Sequence, residues 1–197
     1  MGALMRDTRF SDSALEALRQ LIGAEYQFIA GPQNAVVLAS QEIVISTSVV
    51  AVFFASDAEE FDVGDDWDFF AHITPAKATN AQIAQACSTG DIFRQFAGQV
   101  IQDVIVITDS IRCERKGGDS WSHVTDSGVV LVLQRGFVLL VLHSLHAEVM
   151  FVSFGTEFDL SQVPIFSSIY GDHEDQTCFR SRSAMSLAGR PIADTAA

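Results

Sequence analysis

From residue 100 onward the chain is a succession of short apolar, β-branched runs separated by turn residues. That pattern constrains the fold more than any other feature. Residues 100–108, 111–115, 121–125, 129–133, 137–143 and 148–154 read as strands. Lys116-Gly117-Gly118-Asp119 reads as a hairpin turn, and Gln134-Arg135-Gly136 and residues 144–147 divide the later runs. Strands joined by such short turns pair antiparallel. The longest clean apolar run, residues 137–142, is far below the ~18–20 residues a membrane helix needs. Several runs are apolar at successive positions, so both faces of the sheet should be covered, one of them by helices.

The first half mixes helix and strand signals. Ser13-Ala-Leu-Glu16 has the form of a capping box, followed by an apolar face of Leu15, Leu18, Leu21 and Ile22 and a stop at Gly23. Strands are expected at residues 26–30, 35–40 and 43–55, with Gln41-Glu42 as a turn. After an acidic stretch, residues 69–74 suit a short strand. Thr79-Asn-Ala-Gln82 opens a second helix, Gly90-Asp91 breaks it, and residues 92–97 read as further helical turns ending at Gly98. The expected fold class is α+β: a mostly antiparallel β meander with two or three short helices. Residues 1–170 are expected as a single compact domain and residues 171–197 as a polar C-terminal tail.

The two halves echo each other. Leu18-Arg-Gln-Leu-Ile-Gly23 matches Phe93-Arg-Gln-Phe-Ala-Gly98, Val36-Val-Leu38 matches Val129-Val-Leu131, and Phe61-Asp-Val63 matches Phe158-Asp-Leu160, in the same order. The expectation is an internal pseudo-repeat, residues 11–78 and 79–170, each a helix plus three or four strands. A glycine at such a corner suits a left-handed cap that feeds directly into a strand.

At 197 residues and 48% hydrophobic content the chain can bury a substantial core. Its formal net charge is −13. A protein that binds nucleic acid by neutralising phosphates has the opposite sign, as does a polybasic membrane-surface protein, so neither partner is expected. The first residues contain no apolar run of signal-peptide length. The three cysteines, Cys87, Cys113 and Cys178, are widely spaced and form no CxxC pair. They read as small buried hydrophobes in a reducing, cytoplasmic protein.

About half of the net charge sits in residues 57–68. Asp57, Glu59, Glu60, Asp62, Asp65, Asp66 and Asp68 lie there without a lysine or arginine among them. Phe61 and Trp67 are interleaved, and Phe69 and Phe70 follow. Rings surrounded by charge suit a protein interface: the rings supply contact energy, and the carboxylates speed encounter with a basic partner. Two other readings compete. One is a solvated loop whose rings pack back on the core. The other is a calcium site, although the spacing differs from an EF-hand loop and lacks its closing glutamate.

The chain has no GxSxG elbow, no P-loop and no dinucleotide-binding GxGxxG. Arg112, Arg115 and Lys116 form a small basic patch that reads as solubility decoration. His143-x-x-His146-x-Glu148, with Gly155 beyond it, resembles the first metal-binding motif of cupins. The two-residue gap would send the histidines to opposite faces of a strand, leaving His146 and Glu148 on one face, and the second cupin motif is missing. A metal-dependent enzyme using His146 and Glu148, with His143 or His123 as a further ligand, is therefore the alternative reading. The main reading expects no catalytic residue, metal or other cofactor.

Residues 91–98, 104–107, Trp121, 126–131 and 148–154 together resemble small bacterial immunity proteins of polymorphic-toxin and contact-dependent inhibition systems. The shared feature is the rhythm of a helix ending in glycine and then a meander around one tryptophan. The resemblance implies a non-catalytic protein that occludes a basic partner, such as a cognate toxin domain. It transfers no individual residue. A self-associating structural subunit is the remaining reading.

Overall fold

The computed structural model describes residues 4–32, 38–62, 67–116, 120–144, 147–163 and 176–192. Among the described residues, twelve strands and two helices follow the order β1 (Leu4–Thr8), α1 (Asp12–Arg19), β2 (Tyr26–Pro32), β3 (Leu38–Ser40), β4 (Glu42–Thr47), β5 (Ala51–Asp62), β6 (Trp67–Lys77) and α2 (Asn80–Thr89). Then come β7 (Gly90–Phe93), β8 (Ile101–Arg115), β9 (Trp121–Leu133), β10 (Gly136–Ser144), β11 (Ala147–Gly155) and β12 (Gln176–Ser186). A short 3-10 turn, Leu160–Gln162, precedes β12. The molecule is mostly antiparallel β-sheet with two short helices, richer in strand than an α+β label implies.

Each half builds a four-strand meander. In the first, β2, β4, β5 and β6 are neighbours in sequence order, and β7 pairs on the outside of β2 to make a five-stranded sheet. In the second, β8 to β11 do the same, with β12 outside β8 and β3 outside β11. The seventh strand of that sheet, β1, lies parallel on β9 from Leu4↔Trp121 to Thr8↔Thr125. β10 pairs only with the other half of β9, from Gly128 to Leu133, so β1 fills the edge that β10 leaves open.

The two sheets pack face to face around one core. Ile29, Ile45 and Phe54 from one meet Val106, Leu131 and Leu140 from the other, and α1 adds Leu18. A second cluster lies on the other face of the seven-stranded sheet, where Ile105, Ile107, Val130 and Leu139 are covered by Phe158, Leu160, Val163 and Ile192. This is the physical reason for the continuous apolar text of β9 and β10: both faces of those strands are buried. β8 changes core midway. Ile105 and Ile107 line the second cluster, but Ile111 and Cys113, on the same alternation, line the first. The β8–β9 register shifts between Ile107 and Thr108, where Ser127 has no cross-strand partner, and a bulge of this kind bends and twists the ladder.

Several local expectations are corrected. The cap of α1 is Ser11, whose hydroxyl accepts from Ala14 N at 3.3 Å, and not Ser13. Residues 43–55 are two strands, because Thr47 Oγ1 accepts from Val49 N and Val50 N and turns the chain. Residues 92–97 are not helical: β7 pairs with β2 from Ile29↔Phe93 to Pro32↔Gly90, and a turn follows. Gly90 is needed there because a Cβ would overlap the Gly31 carbonyl. Leu38 lies in β3, at the edge of the sheet, and its expected counterpart Leu131 in β9, so that part of the repeat match does not align, and residues 33–37 lie outside the described residues.

The expected polar tail contains β12, which pairs with β8 without a break from Gln176↔Arg115 to Ser186↔Ile105. Three ties hold it. Ser186 Oγ donates to Asp103 Oδ2 at 2.6 Å. Arg182 and Asp109 form a bidentate ion pair at 2.6 and 2.7 Å, both side chains almost fully buried, and Arg182 also donates to the Val163 carbonyl. Cys113 and Cys178, directly opposed in register, are joined by a disulfide. The reading of all three cysteines as small buried hydrophobes is thereby overturned for Cys113 and Cys178, and Cys87, half-buried, is free.

The two RQxxG corners are joined to each other. Gly23 N donates to Ile101 O and Gly98 N to Tyr26 O, both at 2.8 Å. Tyr26 N donates to Gln99 O and Ile101 N to Ala24 O, both at 2.9 Å. Each bond maps onto the other member of its pair by a shift of 75 positions, and the bridge Glu25↔Val100 lies between them. Both glycines have positive φ, +84° and +83°.

Candidate functional site

β4 pairs with β5 only as far as Glu42↔Ala55, whereas β5 and β6 stay paired to Asp62↔Trp67. Ser56 N still donates to Gln41 O, and beyond it the two strands run on as a two-stranded arm. The acidic stretch is therefore mostly strand, with residues 63–66 outside the described residues.

Asp57 and Glu60 are exposed on this arm. Glu59 is engaged differently, in an ion pair with Arg6 of β1 that ties the arm to the other sheet. Both side chains of that pair are more than two-fifths exposed (43% and 44%), which limits its worth to at most about 1 kcal/mol. Phe70, expected among the outward rings, turns into the core. It lies edge-on to Trp121 and His123 at 5.5 and 4.8 Å between centroids. Of the remaining expected contact residues, Phe61, Asp62, Trp67 and Asp68 have backbones in the arm and side chains outside the described set. Asp65 and Asp66 lie outside it altogether.

β1 and the corner after it seal the gap between the arm and β9. His123 is 1% exposed, its Nε2 is 3.0 Å from Thr8 Oγ1, and its Nδ1 has no hydrogen-bond partner among the described residues. Burial pushes it down to about 4, with Arg6 and His72 acting in the same direction. Burial also lowers His72, whose Nδ1 is likewise unpartnered, against the opposing pull of Asp57, its cross-strand neighbour. Asp126 accepts from Phe10 N at 2.7 Å and from Thr108 Oγ1 at 2.6 Å, and burial raises its carboxyl above the ordinary range. Arg9 pairs with Asp7, which holds the Asp7 carboxyl low. A groove of about 250 Å³ opens here, walled by residues 6–11 on one side and by Glu59, His72 and Thr74 on the other.

Sequence reasoning passed over Arg6, Thr8 and Asp126 and weighed His123 only as a metal ligand. The alternation Trp121-Ser-His123-Val-Thr125 does place His123 on the inward face beside the tryptophan. No such signal marks β1, whose seat is created by the short pairing of β10. His143 is in β10 and Glu148 in β11, with a register irregularity between Leu142 and Ser144. Their side chains and all of His146 lie outside the described residues. Among the described residues no group of three His, Cys, Asp or Glu side chains is placed to hold a metal. No helix is long and apolar enough to cross a membrane.

Comparison with protein-family models, with curated proteins and with solved structures found no match to this chain.

Proposed function

We propose that this protein is a non-catalytic binding protein that docks a basic protein partner on the β5–β6 arm. An immunity-type inhibitor occluding a cognate toxin is the particular case. The observation that supports this reading is the arm itself: a paired extension running past β4, with the carboxylates of Asp57 and Glu60 open to solvent. Charges at the rim of an interface raise association rates and discriminate between partners more than they add affinity.

Titration of the intact protein against the product of the adjacent gene tests the proposal. Expected are a complex that weakens as salt rises and a slower association after Asp57→Lys and Glu60→Lys together. Absence of a complex at micromolar concentration would falsify the reading, as would one indifferent to salt and to both substitutions.

Two finer points of organisation belong to the same proposal. The reciprocal bonds at Gly23 and Gly98 support an internal duplication in which each unit is a helix or turn, a glycine corner and a four-strand meander. The Cys113–Cys178 disulfide supports work in a compartment where disulfides persist, in place of the reducing cytoplasm expected from cysteine spacing.

A further inference from the structure

We infer that β1 is an acid-released clasp, which lets go of β9 and of the β5–β6 arm as pH falls and so opens a strand-wide slot beside the arm. This inference does not depend on whether the arm docks a partner.

The clasp is short, and its seat is poorly satisfied. Five residues pair with β9, with Arg6 beside His123 and Thr8 beside Thr125. Three buried polar atoms around that seat, His123 Nδ1, His72 Nδ1 and Thr125 Oγ1, have no hydrogen-bond partner among the described residues. Buried polar atoms without partners are costly, and that cost is relieved when the element covering them opens to water. Among the described residues the side-chain ties from β1 itself to the rest of the molecule are few: Thr8 to His123, a long bond from Thr8 Oγ1 to the Val124 carbonyl at 3.5 Å, and the partly exposed Arg6–Glu59 pair.

The charges around the seat favour release on acidification. Arg6 and Asp7 of β1 and His72 of β6 act on His123, and Asp57 of β5 and Arg6 act on His72. Arg9 and Asp126 border Asp7 on the other side. Protonating either imidazole sets a second cation near Arg6; the added Nδ1–H of His123 finds no acceptor among the described residues, whereas a backbone hydrogen bond with Phe70 favours the charged form of His72 without reversing its lowering. Asp7 and Asp57 pull the other way, but neither reverses the lowering of the histidine it faces.

The sign follows from His123. Held near 4 in the closed clasp, it returns toward its ordinary ~6.5 once exposed, so the open form takes up a proton. Opening is therefore favoured as pH falls from about 6.5 toward 4, by up to about tenfold per pH unit for this one group.

Amide hydrogen exchange on the full chain, corrected for intrinsic rates, tests the clasp. From about pH 7 to about pH 5 the amides of β1 should lose protection by on the order of 20-fold, while those pairing β10 with β11 hold theirs. His123→Gln, which keeps a polar group for Thr8 but cannot titrate, should flatten most of that response. Unchanged β1 protection at about pH 5 overturns the proposal. So does loss of protection in β1 and β10 together, or a His123→Gln variant with the wild-type pH response. The wild-type comparison decides alone if the variant does not fold.

Discussion

Asp126 shows how one side chain can join three segments. It accepts from the Phe10 amide at the end of the β1 corner and from Thr108 at the β8 bulge, and it belongs itself to β9. Asp126→Ala leaves the Phe10 amide buried without an acceptor, a loss of about 1–3 kcal/mol that urea denaturation should report. The Asp109–Arg182 pair is more deeply buried. Asp109→Ala strands the guanidinium, and the expected destabilisation is about 3–5 kcal/mol. Replacing both partners with apolar residues, Asp109→Leu with Arg182→Met, should recover most of that stability. A double variant no better than Asp109→Ala would mean that the Arg182 bond to the Val163 carbonyl, and not the ion pair, holds β12.

At the scale of elements, the legible parts of the fold were those governed by local alternation and turns. β9, β10 and β11 announce themselves through runs of Val, Leu and Phe, and α2 through the reciprocal Thr79–Gln82 cap. β12 does not, because it is an edge strand whose partners are remote. Thr177, Ser181 and Ser183 face solvent, and its inward arginine is tolerable only beside an aspartate 73 positions earlier. The disulfide was hidden for the same reason, since it depends on a register between residues 65 apart. Closing a loop of that length constrains the unfolded chain, so Cys113→Ala with Cys178→Ala should cost about 4 kcal/mol, read as a lower Tm than that of the oxidised protein. The acidic site was half legible. Its charge was plain, but that Phe70 turns inward and Glu59 is bound to Arg6 depends on where β9 and β1 come to lie.

For the molecule as a whole, the corners at Gly23 and Gly98 matter more than their size suggests. Both backbones are in the left-handed region with open space around the Cα, so Gly23→Ala or Gly98→Ala introduces no clash and costs about 1 kcal/mol of backbone strain. Because each corner donates to the strand that the other begins, either substitution should raise amide exchange at both corners; an effect confined to the mutated corner would contradict that coupling.

The same reciprocity sets an order on synthesis. Gly23 and Tyr26 bond to carbonyls of Ile101 and Gln99, so a chain emerging from the ribosome cannot finish its first corner until more than half its length has appeared. The early meander must wait, its inner face uncovered, for the later one to arrive, and the interval before residue 101 emerges is when a nascent chain of this sequence most needs a chaperone.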